Sequence, residues 1–281
     1  MVEDKWCERV HGIFWMLVCG IIEIIMKTTA EYQDIYIYGT HAVLEALKSP
    51  HKVLSKVFIT PTKKDEMLYS ALEKAKVPIF ALDPQKLPKD VLKEGRGEAV
   101  HQGVLGIISP TKLVRPYKEF IESLTVSPDT ALVLLGEVQD PHNVGAIIRS
   151  AAGFGIAGVL IPQHNQAQIT GSVIKVSAGM AFTIPLISVA NVNTVARDLK
   201  ERGFWIYGLD GESTHAVGEE VYDKPSVFIL GNEGRGLREK TREVCDILVS
   251  IPMHPQCESF NVSVSAAVAL YAWSTQHKGA L

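Results

Sequence analysis

Residues 131–155 read ALVLLGEVQDPHNVGAIIRSAAGFG, and their pattern decides the fold class. ALVLLGEV (131–138) is a near-continuous apolar run, the mark of a strand covered on both faces rather than one. VGAIIRSAAGFG (144–155) carries apolar residues at helical spacing and ends at a glycine stop. Strand, polar loop and helix in that order make one βα unit. Further runs of the same kind follow: GVLIP (158–162), IPLISV (184–189), FWIYGLD (204–210), SVFILG (226–231) and ILVSIPM (247–253), each separated by helical text. The chain closes on VSVSAAVALYAWSTQ (262–276), a long, largely apolar helix. The expectation is an α/β domain over 130–281 with a parallel sheet.

Upstream the same reading gives a second, smaller α/β pattern over 35–110. GTHAVLEALKS (39–49) predicts a helix with Thr40 as its N-cap. KVFIT (core 57–60) and VPIFALD (77–83) are short strands, with DEMLYSALEKAK (65–76) an amphipathic helix between them. LPKDVLKEGRGEAVHQG (87–103) reads as a helix and a glycine-punctuated loop, and GVLGIIS (103–109) as a strand. Residues 111–129 read as a linker with one short helix around Tyr117–Leu124. No internal repeat is visible.

The N-terminal extension, 1–34, stands apart. GIFWMLVCGIIEIIM (12–26) is apolar but interrupted by Glu23, and shorter than the ~20 residues a spanning helix needs. Its flanks lack the basic start and small-residue cleavage site of a signal peptide. The expectation is that translation starts at Met26, with a membrane anchor as the alternative.

The 281 residues are 47% hydrophobic and 21% charged, with net charge −3, which excludes disorder and any global basic field. A nucleic-acid partner must therefore meet a local patch. Lys52, Lys56, Lys63 and Lys64, and Lys86, Lys89, Lys93 and Arg96, offer two; both also read as ordinary solvated surface. The four cysteines, Cys7, Cys19, Cys245 and Cys257, form no CxxC pair, so the chain reads as reduced and intracellular, with no disulfide framework and no metal site.

Three strand ends are loaded with polar residues, where open α/β sheets bind ligands. The first, Gly136–Asn143, leads into the helix that carries Arg149; Asn143 lies at a plausible N-cap, and the segment also reads as no more than a capped helix. The second is GNEGRG (231–236). Its GxxGxG spacing fits neither the dinucleotide fingerprint nor a phosphate loop. Glu233 within it needs a partner, and Arg149 is a cation that can supply one; a tight turn with no ligand is the other reading. The third, Ile251–Val262, places Ser259 and Asn261 at the start of the last helix, where they can also simply cap it. No His–Asp pair accompanies Ser259, so a hydrolase triad is excluded.

Together these segments resemble the SpoU (TrmH-type) branch of the SPOUT RNA methyltransferases. PHNVGAIIRSAAGFG (141–155), FILGNEGRGL (228–237) and IPMHPQCESFNVSVSAAVALY (251–271) match its three motifs in order. Residues 35–109 are similar to the L30e-like RNA-binding domain that precedes the catalytic domain in RlmB-type enzymes. The resemblance implies a trefoil-knotted catalytic domain and S-adenosylmethionine as cofactor, against Gly231, Ile251 and Phe260. It implies a polar catalytic cluster of Asn143, Arg149, Glu233, Ser259 and Asn261, with Glu233 orienting Arg149. It implies a cytoplasmic homodimer joined through the terminal helix and knot, and no membrane association. The implied reaction is 2'-O-methylation of a guanosine in large-subunit (23S) rRNA; a tRNA guanosine enzyme and a non-catalytic ribosome assembly factor are the alternatives. Pro255 and Phe260 depart from the family pattern, where Gly and Leu are frequent.

Overall fold

The computed structural model describes residues 34–83 and 103–281. The N-terminal extension up to residue 33, and the helix and loop expected over 87–103 apart from Gly103, lie outside the described residues.

Two sheets organise the described chain. The smaller has the order β1–β4–β2–β3, from β1 (Ile35–Tyr38), β2 (Leu54–Ile59), β3 (Ile79–Ala81) and β4 (Val104–Ile108). β4 runs antiparallel to both its neighbours, and β2 runs parallel to β3. Helices α1 (Thr40–Leu47) and α2 (Glu66–Lys74) accompany it. Thr40 is not the cap of α1: Gly39 occupies that position at φ 89°, a conformation glycine adopts without strain. Asp65 caps α2 by accepting the Leu68 N–H at 3.1 Å.

The larger sheet has seven strands, all parallel. They are β5 (Val114–Pro116), β6 (Ala131–Leu135), β7 (Gly158–Pro162), β8 (Leu186–Val189), β9 (Trp205–Leu209), β10 (Ser226–Leu230) and β11 (Ile247–Val249), in the order β11–β9–β10–β6–β7–β8–β5. Every residue of β6, β7 and β10 is buried, which is why those runs show no alternation. β5 lies inside the segment expected as linker. Its proline hides the strand from a propensity reading, and Pro116 is tolerated because β5 is an edge that pairs only with β8.

Around this sheet run short α3 (Pro110–Leu113), α4 (Tyr117–Ser123), α5 (Pro141–Gly153), α6 (Gly171–Val176), α7 (Val192–Glu201), short α8 (Glu239–Arg242) and α9 (Val262–Gln276). Ile147, Ile148 and Ala151 of α5, and Ala266, Ala269, Leu270 and Trp273 of α9, share one core with the buried side chains of the small sheet. Phe120 of α4 and Val195, Ala196 and Leu199 of α7 pack in the second core, with Leu132, Leu134, Val227 and Ile229. Gly145 lets α5 and α6 approach closely: a Cβ there would sit 2.7 Å from the Val176 side chain.

Candidate active site

The three polar loops meet at the carboxyl end of the large sheet. The first begins at Gly136, whose N–H donates to the Leu230 carbonyl at 2.6 Å. It enters α5 through Asp140, which caps the helix by accepting the His142 N–H at 2.8 Å. Pro141 takes the first helical position, where a missing N–H costs nothing. The helix therefore starts earlier than the sequence reading placed it. Asn143 is not the cap but a first-turn residue, only 7% exposed.

The second loop closes on itself. Asn232 and Gly236 exchange backbone hydrogen bonds at 3.0 and 2.9 Å. Asn232 Oδ1 accepts the N–H groups of Gly234 and Arg235 at 3.1 and 3.2 Å. A Cβ on Gly231 would fall on the backbone of Gly236 and Leu237, so this position admits glycine alone. The turn presents Glu233 to the first loop. Its carboxylate accepts the Asp140 N–H at 3.0 Å, the Gln139 N–H at 3.1 Å and Asn143 Nδ2 at 3.1 Å. Partial burial pushes this carboxyl up, but the donors from Asp140, its own backbone, Asn143 and Gln139 outweigh it and hold it below the ordinary glutamate range.

This corrects the expected pairing of Glu233 with Arg149. Arg149 is exposed and forms no hydrogen bond or ion pair with any described residue. Backbone donors from the first loop satisfy Glu233 without the entropic cost of fixing a long side chain.

The third loop, Ile251–Asn261, lies between β11 and α9. Asn261 caps α9 by accepting the Ser263 N–H at 2.8 Å, and its Nδ2 donates to Asn143 Oδ1 at 2.9 Å. Capping and site-building are therefore one arrangement, not alternatives. Ser259 is exposed beside it, and its carbonyl accepts from the Cys257 thiol at 3.5 Å. Phe260 is 41% exposed.

Gly231 follows β10 and Ile251 lies two residues beyond β11, and both strands flank β9. The two loops thus leave the sheet on either side of the carboxyl end of β9, a position where parallel sheets take ligands. Met253 and Phe260 leave their N–H groups without a backbone partner among the described residues, so a ligand there would meet main-chain donors. That suits a cofactor held mostly by backbone contacts.

Sequence reasoning missed three supports of this site. Glu137 sits at φ 71°, unusual for a residue with a Cβ, and pairs with Arg238 at 2.6 Å. Its carbonyl accepts Asn232 Nδ2 at 2.9 Å. Gln166 clips Val138 from both sides, accepting its N–H at 2.9 Å and donating to its carbonyl at 2.6 Å. Only Asn232 was legible, because an Asn two residues before a glycine is a turn signal. Of the lysines on the small domain, Lys52 and Lys64 are exposed and Lys56 lies 5.9 Å from the Phe58 ring centroid; Lys86, Lys89, Lys93 and Arg96 lie outside the described residues.

Residues 130–271 match the SpoU rRNA Methylase family, and residues 36–114 match the family described as RNA 2'-O ribose methyltransferase substrate binding. The 23S rRNA (guanosine-2'-O-)-methyltransferase RlmB of Pectobacterium atrosepticum is 37% identical, over 86% of this chain and 98% of its own. The protein of the same name from Shewanella oneidensis is 36% identical, over 85% and 96%. The crystal structure of the SpoU methyltransferase AviRb from Streptomyces viridochromogenes in complex with AdoMet superposes with a TM-score of 0.73 at 23% identity, over 90% and 92%.

Proposed function

The chain belongs to the SpoU rRNA methylase family, and on that premise we propose that it methylates the ribose 2'-hydroxyl of a guanosine in large-subunit (23S) rRNA, using S-adenosylmethionine. One observation carries the reading. The chain of hydrogen bonds Glu233–Asn143–Asn261 ties together the three segments that the family motifs occupy. Relatives above 30% identity, matched over most of both chains, are named for this activity, which favours it over the tRNA and assembly-factor readings.

Bound S-adenosylmethionine supplies the methyl group; the rest is done by this chain's residues. Gly231, Ile251 and Phe260 would hold the cofactor above the end of β9. The acceptor hydroxyl is a weak nucleophile and must lose its proton during attack. Arginine, whose ordinary pKa lies far above neutrality, is a poor base at pH 7. Arg149 instead places its guanidinium beside the developing alkoxide, with a substrate phosphate or water taking the proton. Its freedom from intramolecular partners keeps it available to RNA. Asn143, Ser259 and Asn261 hold the ribose, phosphate or cofactor carboxylate, and Glu233 fixes Asn143 for that task.

Residues 35–110 are read as the RNA-binding domain and 130–281 as the knotted methyltransferase domain, with β5 and α4 of the segment 111–129 packed onto the latter. The protein is read as a cytoplasmic homodimer. Val264, Val268 and Tyr271 form an exposed stripe at i, i+4 and i+7 on α9, with Tyr271 60% exposed, which fits a second copy. Among the described residues no helix is long and apolar enough to cross a membrane.

Isothermal titration with S-adenosylmethionine tests the cofactor half of the reading. Saturable binding to the native protein is expected; no binding would leave only an RNA-binding role.

A further inference from the structure

We propose that a cavity of about 240 Å³ at the carboxyl ends of β6, β7 and β8 binds one nucleobase of the RNA substrate, next to the nucleotide that is methylated. The inference rests on the RNA-methyltransferase reading and extends it to substrate recognition.

The cavity is separate from the proposed cofactor site. Its floor is Gly136, Pro162 and Ala190, at the ends of β6, β7 and β8. The proposed cofactor site lies over β9 between β10 and β11, on the other half of the sheet. Both positions are places where parallel sheets take ligands. At about 240 Å³ the cavity falls below the ~300–1,000 Å³ of pockets for drug-sized ligands, which suits a single planar ring system.

The lining chooses a base over a phosphate. Its carboxylate, Glu137, is paired with Arg238 through two contacts of 2.6 and 3.0 Å, so the two charges cancel. The other polar side chains include His164, Asn165, Asn191 and Asn193. Asn191 Oδ1 is engaged by the Thr194 N–H at 3.0 Å and Asn193 Oδ1 by the Thr241 hydroxyl at 2.9 Å. Each amide NH2 group is left without a partner among the described residues, and the His164 and Asn165 side chains have none either. A neutral wall of donors and acceptors matches the edge of a nucleobase. The exposed His164 ring and Arg238 guanidinium are flat surfaces on which a base can stack. Glu137, on the wall, sits at φ 71°, and backbone held so far from its preferred regions clusters at ligand sites.

The cavity also touches the catalytic cluster. The Glu137 carbonyl is held by Asn232, the residue before Glu233. A base seated against Glu137 and Arg238 therefore bears on the loop that positions the reacting groups.

The test uses His164→Ala and Asn191→Asp. Both positions are exposed, and aspartate retains the helix cap while losing the amide donor; melting curves check that both variants fold. RNA binding is measured by fluorescence anisotropy on a protein-free large-subunit rRNA fragment, and on a series of the same fragment carrying one abasic nucleotide at each position in turn. The expected result is one abasic position that weakens binding to the native protein about tenfold, or about 1.4 kcal/mol. Each variant should weaken binding of intact RNA to a similar degree and show no further loss at that position. Affinity for S-adenosylmethionine should not change. Native RNA affinity in both variants, losses that multiply at every position, or weakened cofactor binding would each overturn the proposal. Methyl transfer to the same fragment is followed in parallel. Its absence in the native protein would refute the enzymatic reading, while the binding cycle would still judge the cavity.

Discussion

Asn261 donates from Nδ2 to Asn143 Oδ1 at 2.9 Å, across 118 residues of sequence. The direction of that bond is set at both ends. Glu233, an ionised carboxylate, can only accept, so Asn143 must turn its Nδ2 toward it. Asn143 Oδ1 then faces Asn261, whose own Oδ1 is left for the Ser263 N–H. A single charge thus orients two amides and the start of the last helix.

Glu233 makes the stability of the fold depend on pH. Because the fold holds the Glu233 carboxyl below its ordinary range, its ionisation stabilises the native state above the unfolded pKa, ~4.3 for glutamate. That stability is lost as pH falls through the lower folded value. Glu233→Gln should therefore lower the melting temperature most near pH 7, with the gap from the native protein narrowing below about pH 4. A gap independent of pH would contradict this account of Glu233.

Asn143→Asp places a second carboxylate against Glu233. At pH 7 it should cost more stability and more turnover than Asn143→Ala, which removes two hydrogen bonds worth roughly 0.5–1.5 kcal/mol each. The order should reverse in acid, where one of the paired carboxyls takes a proton. Paired pH series of melting temperature and methyl transfer check it.

Arg149→Ala separates chemistry from stability. The side chain is exposed and touches no described partner, so unfolding free energy should stay within about 0.5 kcal/mol of native. Cofactor affinity should also stay native, while kcat falls ~10²–10³-fold, the usual cost of removing one electrostatic group. Equal losses in kcat and cofactor affinity would contradict the assigned role.

Val268→Glu tests the terminal helix. Val268 is 36% exposed between Val264 and Tyr271, and a carboxylate there should split the proposed dimer without unfolding the protomer. Sedimentation velocity reads the outcome: monomers from the variant and dimers from the native protein. A native monomer would refute the dimer.

The sheet was legible because its strands are buried on both faces and so read as unbroken apolar runs; the terminal helix was readable in full as 262–276. The edge strand Val114–Pro116 was not, since a proline marks it as irregular and only pairing with β8 makes it a strand. At the site, the residue types of Asn143, Glu233 and Asn261 pointed to a polar cluster, and the structure joins all three. The wiring was not readable. Charge alone suggests Glu233 with Arg149, but the backbone donors Gln139 and Asp140 that replace Arg149 carry no side-chain signal. The cavity beyond Glu137 was hidden for a related reason: its walls come from four separate loops, and those after β7 and β8 carry no motif.

Methyl transfer from labelled S-adenosylmethionine, with protein-free large-subunit rRNA and bulk tRNA offered in parallel and the labelled nucleotide mapped, decides whether the chain is a 23S rRNA 2'-O-methyltransferase. The account predicts label on the ribose 2'-oxygen of a guanosine in the rRNA, and none with Arg149→Ala on the same time scale. Label on tRNA alone, or on a base rather than a ribose, would contradict it.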